Sequence, residues 1–280
     1  MHPLKRLSYR GEVSHLAGML GLRKVLRRWY YHWARPAGGV LPVEMGGISS
    51  RFYVRNYREL RILEAVEIGE RAVLDLMINF LKAGDVVFDI GANIGLYSVL
   101  LAKVVGERGK VIAFEPEKQS YLHLLDNLNL NGLTGVRCVQ KALGEEPGEG
   151  KLFVRDGVTC PRLMSPPQSG GTGQVTCETV EVEKGDSLVA EEKLPLPRAV
   201  KIDVEGHEWA VIQGLRHTLA QPSCKLVCCE IHPHLLPASV RAESILELLK
   251  SLGFARIDRL GRERDENFFF IAYKDDLTTR

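Results

Sequence analysis

The chain of 280 residues lacks any apolar run approaching the roughly 20 residues that a bilayer-spanning helix requires. Its polar N-terminus has no signal-peptide core, so the expected location is cytoplasmic. Cysteine is scarce: the six residues, at 138, 160, 177, 224, 228 and 229, include no Cys-x-x-Cys pair and read as small buried hydrophobes in a reducing compartment. Acidic residues are nearly missing from the first 36 positions, where Glu12 stands against eight lysines and arginines. The remaining positions hold 29 basic and 34 acidic residues, so a net charge of +2 hides a basic arm on an acidic body. With 45% hydrophobic and 26% charged residues, the composition is that of a soluble globular protein with room for one large α/β domain and an appendage.

Two common phosphate-binding signatures are also missing. After Val86-Val87-Phe88-Asp89-Ile90 the loop carries Gly91 and Gly95, but Asn93 and Leu96 occupy positions where a dinucleotide fingerprint needs glycine. No Gly-Lys-Ser/Thr follows Gly95, which removes the P-loop reading. What is present is a nearly unbroken apolar run, as in a strand buried on both faces, then a glycine-bracketed turn, then Ile94, Tyr97 and Leu101 at helical spacing. Such a turn is expected to present bare N–H groups at a helix N-terminus, with Asn93 tolerating positive φ. The next strand, 110–114, ends in Glu115, whose two carboxylate oxygens are placed to accept hydrogen bonds from both hydroxyls of a ribose. Loop and acid together predict a nucleoside-type cofactor at the carboxyl ends of the strands; the plainer alternative is a βαβ unit whose glycines only permit helix–strand packing.

The arm's centre, residues 23–35, interleaves basic residues with Trp29, Tyr30, Tyr31 and Trp33. It fits a helix packed over the main domain by Leu26, Trp29, Tyr30 and Trp33, with phosphate tracking or contact with an anionic membrane as alternatives. Gly38-Gly39 and Gly46-Gly47 suggest a hairpin-like connection before Phe52, and 57–82 reads as a helix in two parts, the second burying Leu74, Met77 and Leu81. A helix over 121–130 is expected to bury Leu122, Leu125 and Leu128, and the third strand, 136–140, exits through Ala142-Leu143-Gly144. Alternating segments at 151–154 and 174–182, parted by a stretch rich in Pro, Ser and Gly, predict a β extension with a flexible tip. The fourth strand, 199–203, leads into Glu205, His207 and Glu208, and the fifth, 225–233, ends in Glu230 and His232. In a parallel sheet Asp203, Glu205, His207, Glu230 and His232 converge on the crevice beside the glycine loop. The last two strands, 254–260 and 268–273, form an antiparallel hairpin.

Three motifs carry a family likeness: Val86-Val87-Phe88-Asp89-Ile90-Gly91-Ala92-Asn93-Ile94-Gly95, Phe114-Glu115-Pro116 and Lys201-Ile202-Asp203-Val204-Glu205-Gly206. With Glu230-Ile231-His232-Pro233 as a weaker fourth, residues 60–273 resemble the FkbM family of S-adenosylmethionine (SAM)-dependent methyltransferases. The resemblance implies an α/β, Rossmann-like class I methyltransferase fold: a mostly parallel seven-stranded sheet with an antiparallel last strand, joined here by an N-terminal helical arm and a β extension. The expected division is an arm and cap over 1–60, a methyltransferase domain over 61–275 with a β insertion at 151–183, and a tail at 276–280. The resemblance also implies SAM as cofactor, held by Asp89, Gly91, Asn93, Gly95, Glu115, Ala142 and Asp203, with the exit of the third strand beside the adenine. Where family members often carry Asp after Ala-Leu-Gly, this chain has Glu145. O-Methylation of a hydroxyl on a sugar, glycan or natural product is the implied activity.

The sulfonium of SAM supplies the leaving group, so the protein's task is to align the acceptor oxygen and remove its proton. The catalytic candidates are Asp203, Glu205 and His232: His232 has a suitable intrinsic pKa, and either carboxylate serves as base or holds the imidazole. Mg²⁺ bound by Asp203 and Glu230 is the alternative, and the metal-free route is preferred. A nucleic-acid substrate, clamped by the basic arm, is disfavoured by the acidic body and by the absence of an Asn-Pro-Pro-Tyr motif. A non-catalytic binding protein that keeps the cofactor fold is the other rival. Peripheral membrane contact through the arm stays open, and the acceptor has no readable code.

Overall fold

The computed structural model describes residues 23–65, 70–155, 162–163, 175–261 and 267–274. Ahead of the main sheet lie helix α1 (Arg23–Ala34), strands β1 (Val40–Met45) and β2 (Ile48–Tyr53), and helices α2 (Tyr57–Ala65) and α3 (Arg71–Phe80). Gly46 and Gly47 turn the β1–β2 hairpin with φ of 54° and 77°, the pair of positive values that matches the twist of the flanking strands. Tyr30 docks α1: it is 8% exposed and donates its hydroxyl to Glu64 at 2.7 Å. Trp29 and Trp33, expected on the same packed face, are instead 61% and 46% exposed and stack on each other. The inward face is Tyr30, Tyr31 and Ala34, and helical geometry sets both tryptophans roughly 60–100° round from Tyr30. The expected packing of Leu26 lies outside the described side chains.

The main sheet is built from β3 (Val86–Ile90), β4 (Lys110–Phe114), β5 (Arg137–Val139), β10 (Ala199–Ile202), β11 (Leu226–Ile231), β12 (Arg256–Leu260) and β13 (Phe268–Tyr273). Its order is β12-β13-β11-β10-β3-β4-β5. The five strands from β11 to β5 run parallel, and β13 enters antiparallel between β11 and β12. This is the class I methyltransferase arrangement that the resemblance implies. Successive residues of β3 face opposite cores, Val87 towards α3 and α4 (Leu96–Val105) and Phe88 towards the other side, so both faces are covered and the strand reads as uniformly apolar. The order reverses beside β3, with β4 and β5 to one side and β10 and β11 to the other. The carboxyl ends of β3 and β10 therefore flank a switch point, where a crevice opens.

Helix α5 (Lys118–Leu130) departs from expectation. It buries Ser120, Leu124, Asn127 and Leu128, while Leu122 and Leu125 are exposed. Long-range contacts choose the face: a Cβ on Gly95 would meet Leu124 Cδ1 at 2.5 Å, and Asn127 donates to Ile94 O at 2.8 Å while accepting from Tyr53 N at 2.9 Å. Beyond β5 comes a four-stranded sheet of order β6-β9-β7-β8, made of β6 (Ala142–Gly144), β7 (Gly148–Arg155), β8 (Arg162–Leu163) and β9 (Val175–Lys184). The expected exit of the third strand is thus itself a strand of the extension. The Pro/Ser/Gly-rich tip, apart from 162–163, and the 276–280 tail lie outside the described residues.

The remaining helices are α6 (Gly185–Glu191), α7 (Glu208–Gly214), α8 (Arg216–Ala220) and α9 (Ala242–Ser251). Val211, Leu215 and Leu219 are fully buried as expected, but the helix that carries them breaks at Leu215 into α7 and α8. Gly214 joins the two sheets: a Cβ there would lie 1.8 Å from Gly144 O, so α7 rests directly on β6. Among the cysteines, 224, 228 and 229 are buried, Cys138 is half-buried and Cys177 is exposed on β9; Cys160 is outside the described residues. No described helix is long and apolar enough to cross a membrane.

Candidate active site

The glycine loop leaves β3 and doubles back over the ends of β4 and β10. Gly91 has a φ of 79°, and a Cβ on it would lie 1.9 Å from Asp203 O. Together with the Gly95–Leu124 contact, this makes both glycines a requirement of packing. Four N–H groups of the loop are engaged within the protein, where bare groups were expected. Gly91 and Ala92 both donate to Phe114 O at 3.0 Å, Gly95 donates to Ala92 O at 2.8 Å, and Asn93, with φ 51°, donates to Glu115 Oε2 at 2.7 Å. The end of β4 has taken up three of these four donors.

Glu115 is 5% exposed, and its other oxygen accepts from Glu117 N at 2.8 Å. A carboxylate oxygen accepts more than one hydrogen bond, so both retain capacity towards the cleft. Burial pushes its pKa up to about 7, against the lowering effect of the two N–H groups. The wall of the open cleft includes Gly91, Asn93, Glu115, Ala142, Asp203 and Glu205. Leu143 and Leu152 add apolar surface beside Ala142, and Lys141, paired with Glu181 at 2.6 Å, closes that end. An apolar wall facing a buried acid fits a nucleoside. Two residues expected to hold the cofactor are not on this wall. Asp89 is fully buried and accepts from Ser98 Oγ at 2.6 Å, and Gly95 sits under Leu124. Glu145 is exposed and also off the wall.

Next to this cleft, β10 and β11 bring Asp203, Glu205, Glu230 and His232 together. His232 is 1% exposed, and its Nδ1 donates to Glu208 Oε1 at 2.7 Å. Its Nε2 is 3.9 Å from Asp203 Oδ1, 3.8 Å from Glu205 Oε1 and 3.7 Å from Glu230 Oε1. Burial opposes a charge on this imidazole, but the bond to Glu208 and the charges of Asp203 and Glu205 outweigh it and raise the pKa to about 10. Burial and Asp203 push Glu230 up to about 8. Glu205 reaches its place with a φ of 51°. His207 stands apart, on the cleft wall near Gly144.

Four further members of this network, Lys201, Glu70, Tyr97 and Glu208, have no site role in the sequence reading. Lys201, 3% exposed, donates to Asp203 Oδ2 at 3.2 Å and Gly91 O at 3.3 Å, tying the fourth strand to the glycine loop. Burial lowers its pKa, but Asp203, Asp89 and Glu70 more than offset that and keep it charged. Glu70, at the start of α3, faces Asp203, Lys201 and Tyr97, and burial followed by Asp203 raises its pKa to about 7. Glu208 is fully buried and also accepts from Gly206 N at 2.9 Å. A lysine inside the apolar run Ala199-Val200-Lys201-Ile202 was the available signal, because a buried charge needs partners. Glu70 and Tyr97 carried no such signal.

The chain is 29% identical over 226 residues to the hexuronic acid methyltransferase AglP of Haloferax volcanii, covering 79% of this chain and 85% of that protein. It is 28% identical over 177 residues to the 31-O-demethyl-FK506 methyltransferase FkbM of Streptomyces tacrolimicus, covering 54% of this chain and 67% of the relative. Among solved structures, Aeropyrum pernix fibrillarin in complex with natively bound S-adenosyl-L-methionine aligns with a TM-score of 0.47 and 14% identity, covering 85% of this chain and 84% of that one. The Methyltransferase FkbM domain model matches residues 89–255, a span that contains the glycine loop, Glu115 and the Asp203–His232 cluster. On that match, which covers more than half of its length, the chain belongs to the FkbM family of SAM-dependent methyltransferases.

Proposed function

We propose that the protein transfers the methyl group of SAM to a hydroxyl oxygen of a sugar or natural-product acceptor. The observation that carries this reading is the adjacency, across the β3/β10 switch point, of a cleft with an apolar wall and a buried acid to the Asp203–Glu205–His232 cluster. The relatives named for a hexuronic acid and for an O-demethylated natural product support the acceptor class. In this reading Glu115 receives the ribose hydroxyls, Ala142 and Leu143 border the adenine, and Gly91, Asn93 and Asp203 bound the remainder of the cofactor. Asp89 and Gly95 act from beneath, by fixing Ser98 and the loop. When bound, SAM supplies an activated methyl group, and the protein aligns it with the acceptor oxygen.

An alcohol needs help to lose its proton near neutral pH. Glu208 accepts the Nδ1 proton of His232, and three carboxylate oxygens surround Nε2, so a carboxylate of the cluster takes the acceptor's proton as the new O–C bond forms. His232→Ala and Asp203→Ala are expected to lose turnover while still binding SAM. The test begins with calorimetric titration of SAM, against NAD, into wild type and Glu115→Ala. Micromolar SAM binding that weakens at least about 10-fold in the variant supports the reading, since each lost charge-assisted hydrogen bond is worth roughly 1.5–3 kcal/mol. Preference for NAD, or full turnover in both His232→Ala and Asp203→Ala, would overturn it.

A further inference from the structure

Six carboxylates, those of Glu70, Asp89, Asp203, Glu205, Glu208 and Glu230, gather around Lys201 and His232 at the ends of β10 and β11. Lys201 occupies Asp203 Oδ2, which leaves Oδ1 turned towards His232. Glu208 accepts the Nδ1 proton and so directs Nε2 into the space between Asp203, Glu205 and Glu230. The gaps of 3.7–3.9 Å from Nε2 to these three oxygens are too long for hydrogen bonds. They match the separation of donors around a shared ion, because ligands about 2.0–2.2 Å from a metal lie roughly 3–4 Å from one another. One donor atom from each of Asp203, Glu205 and His232 lies within 4.8 Å of the other two. The Asp203 and Glu205 side chains are 15% exposed and the His232 side chain 2%, so the group opens on the cleft side and is closed behind.

We propose that Asp203, Glu205 and His232 bind a divalent transition-metal cation, with Glu230 at its border and Glu208 as a positioning residue for the imidazole. A carboxylate–imidazole–metal relay of this kind fixes the tautomer and orientation of the ligand histidine. Two carboxylate oxygens and one imidazole nitrogen suit Mn²⁺ better than Mg²⁺, which favours oxygen ligands alone. The donor set also differs from the Asp203–Glu230 pair expected from sequence, because Glu205 and His232 complete it. The purpose of the cation rests on the methyl-transfer reading. At a position open to the cleft it lowers the pKa of the acceptor hydroxyl, whose proton passes to a carboxylate oxygen of the cluster while the O–C bond forms and the S–C bond breaks.

The experiment is a titration of chelator-treated, full-length protein with Mn²⁺, followed by electron paramagnetic resonance, with pulsed spectra recorded for nitrogen coupling. Equimolar uptake with coupling to an imidazole nitrogen is expected. His232→Asn loses the coupling, Glu205→Gln weakens uptake at least about 10-fold, and Glu208→Gln weakens it about 10–100-fold without removing the coupling. Urea unfolding of each variant, with a cooperative transition like that of wild type, shows that it is folded. Absence of equimolar uptake, uptake without nitrogen coupling, or uptake undiminished in both His232→Asn and Glu205→Gln overturns the site. The two readings fail separately: protein that transfers methyl without taking up Mn²⁺ keeps the function and loses the cation. Protein that binds Mn²⁺ with nitrogen coupling but not SAM does the reverse.

Discussion

In the proposed reading, Glu115 is the residue whose protonation reports most directly on cofactor binding. Its pKa in the free protein is raised from 4.5 to about 7, with burial as the leading cause. Ribose hydroxyls donate to the ionised carboxylate, so bound nucleoside favours the deprotonated form. Below about pH 7 the protonated form dominates and competes, and above it the competition disappears. SAM affinity is therefore expected to rise from about pH 6 to about pH 8 in wild type and to show a flatter profile in Glu115→Gln, measured by calorimetry across that range. Gly91 makes a separate residue-scale prediction. An alanine there must displace Asp203 O from 1.9 Å, whereas Gly132, with φ 69°, has nothing within 4 Å of an added Cβ. Both substitutions carry the left-handed backbone cost of about 1–2 kcal/mol, and Gly91→Ala is expected to cost a further 1–3 kcal/mol or so. Urea unfolding of the two variants checks the difference.

At the scale of elements, α1 is held by one stripe. Tyr30→Phe removes a hydrogen bond to the buried Glu64 carboxylate and is expected to cost about 1–3 kcal/mol. Trp29→Ala, on the exposed face, is expected to stay within about 0.5 kcal/mol, and thermal or urea unfolding separates the two. The same contrast explains what sequence could say about helices. Local spacing identified the face of α9, where Ile245, Leu248 and Leu249 are all buried. It failed on α5, because leucines at 122, 125 and 128 make an equally good stripe, and the choice fell to contacts with Gly95, Ile94 and Tyr53 far away in the chain. In α1 the interleaved aromatics offered two faces, and only the one reaching Glu64 was used.

For the whole molecule, the strand sequence was legible as apolar runs, but the order of strands was not, since periodicity carries no information about neighbours; the family likeness implied only a mostly parallel seven-stranded sheet with an antiparallel last strand, and the order is a property of the fold. Once a parallel sheet is granted, the ends of adjacent strands must share an edge, which is why sequence alone brings Asp203, Glu205 and His232 together. Partners reached through the interior were beyond that logic: Lys201 threading from β10 to Gly91, and Glu70 arriving from α3. The extension was legible as strands but not as a separate sheet that uses Ala142–Gly144 as its edge.

The position of β13 bears on how the protein is made. Glu230 and Ile231 pair with Phe269 and Phe268, so one flank of the strand that carries the cluster stays open during synthesis until residues 268–273 have emerged. The glycine loop, Glu115 and Asp203 are translated well before that point. The cofactor half of the crevice can therefore be assembled on the ribosome while the acceptor half waits for its last strand, and a nascent chain halted before Phe268 presents an unpaired, apolar β11 edge that is open to aggregation.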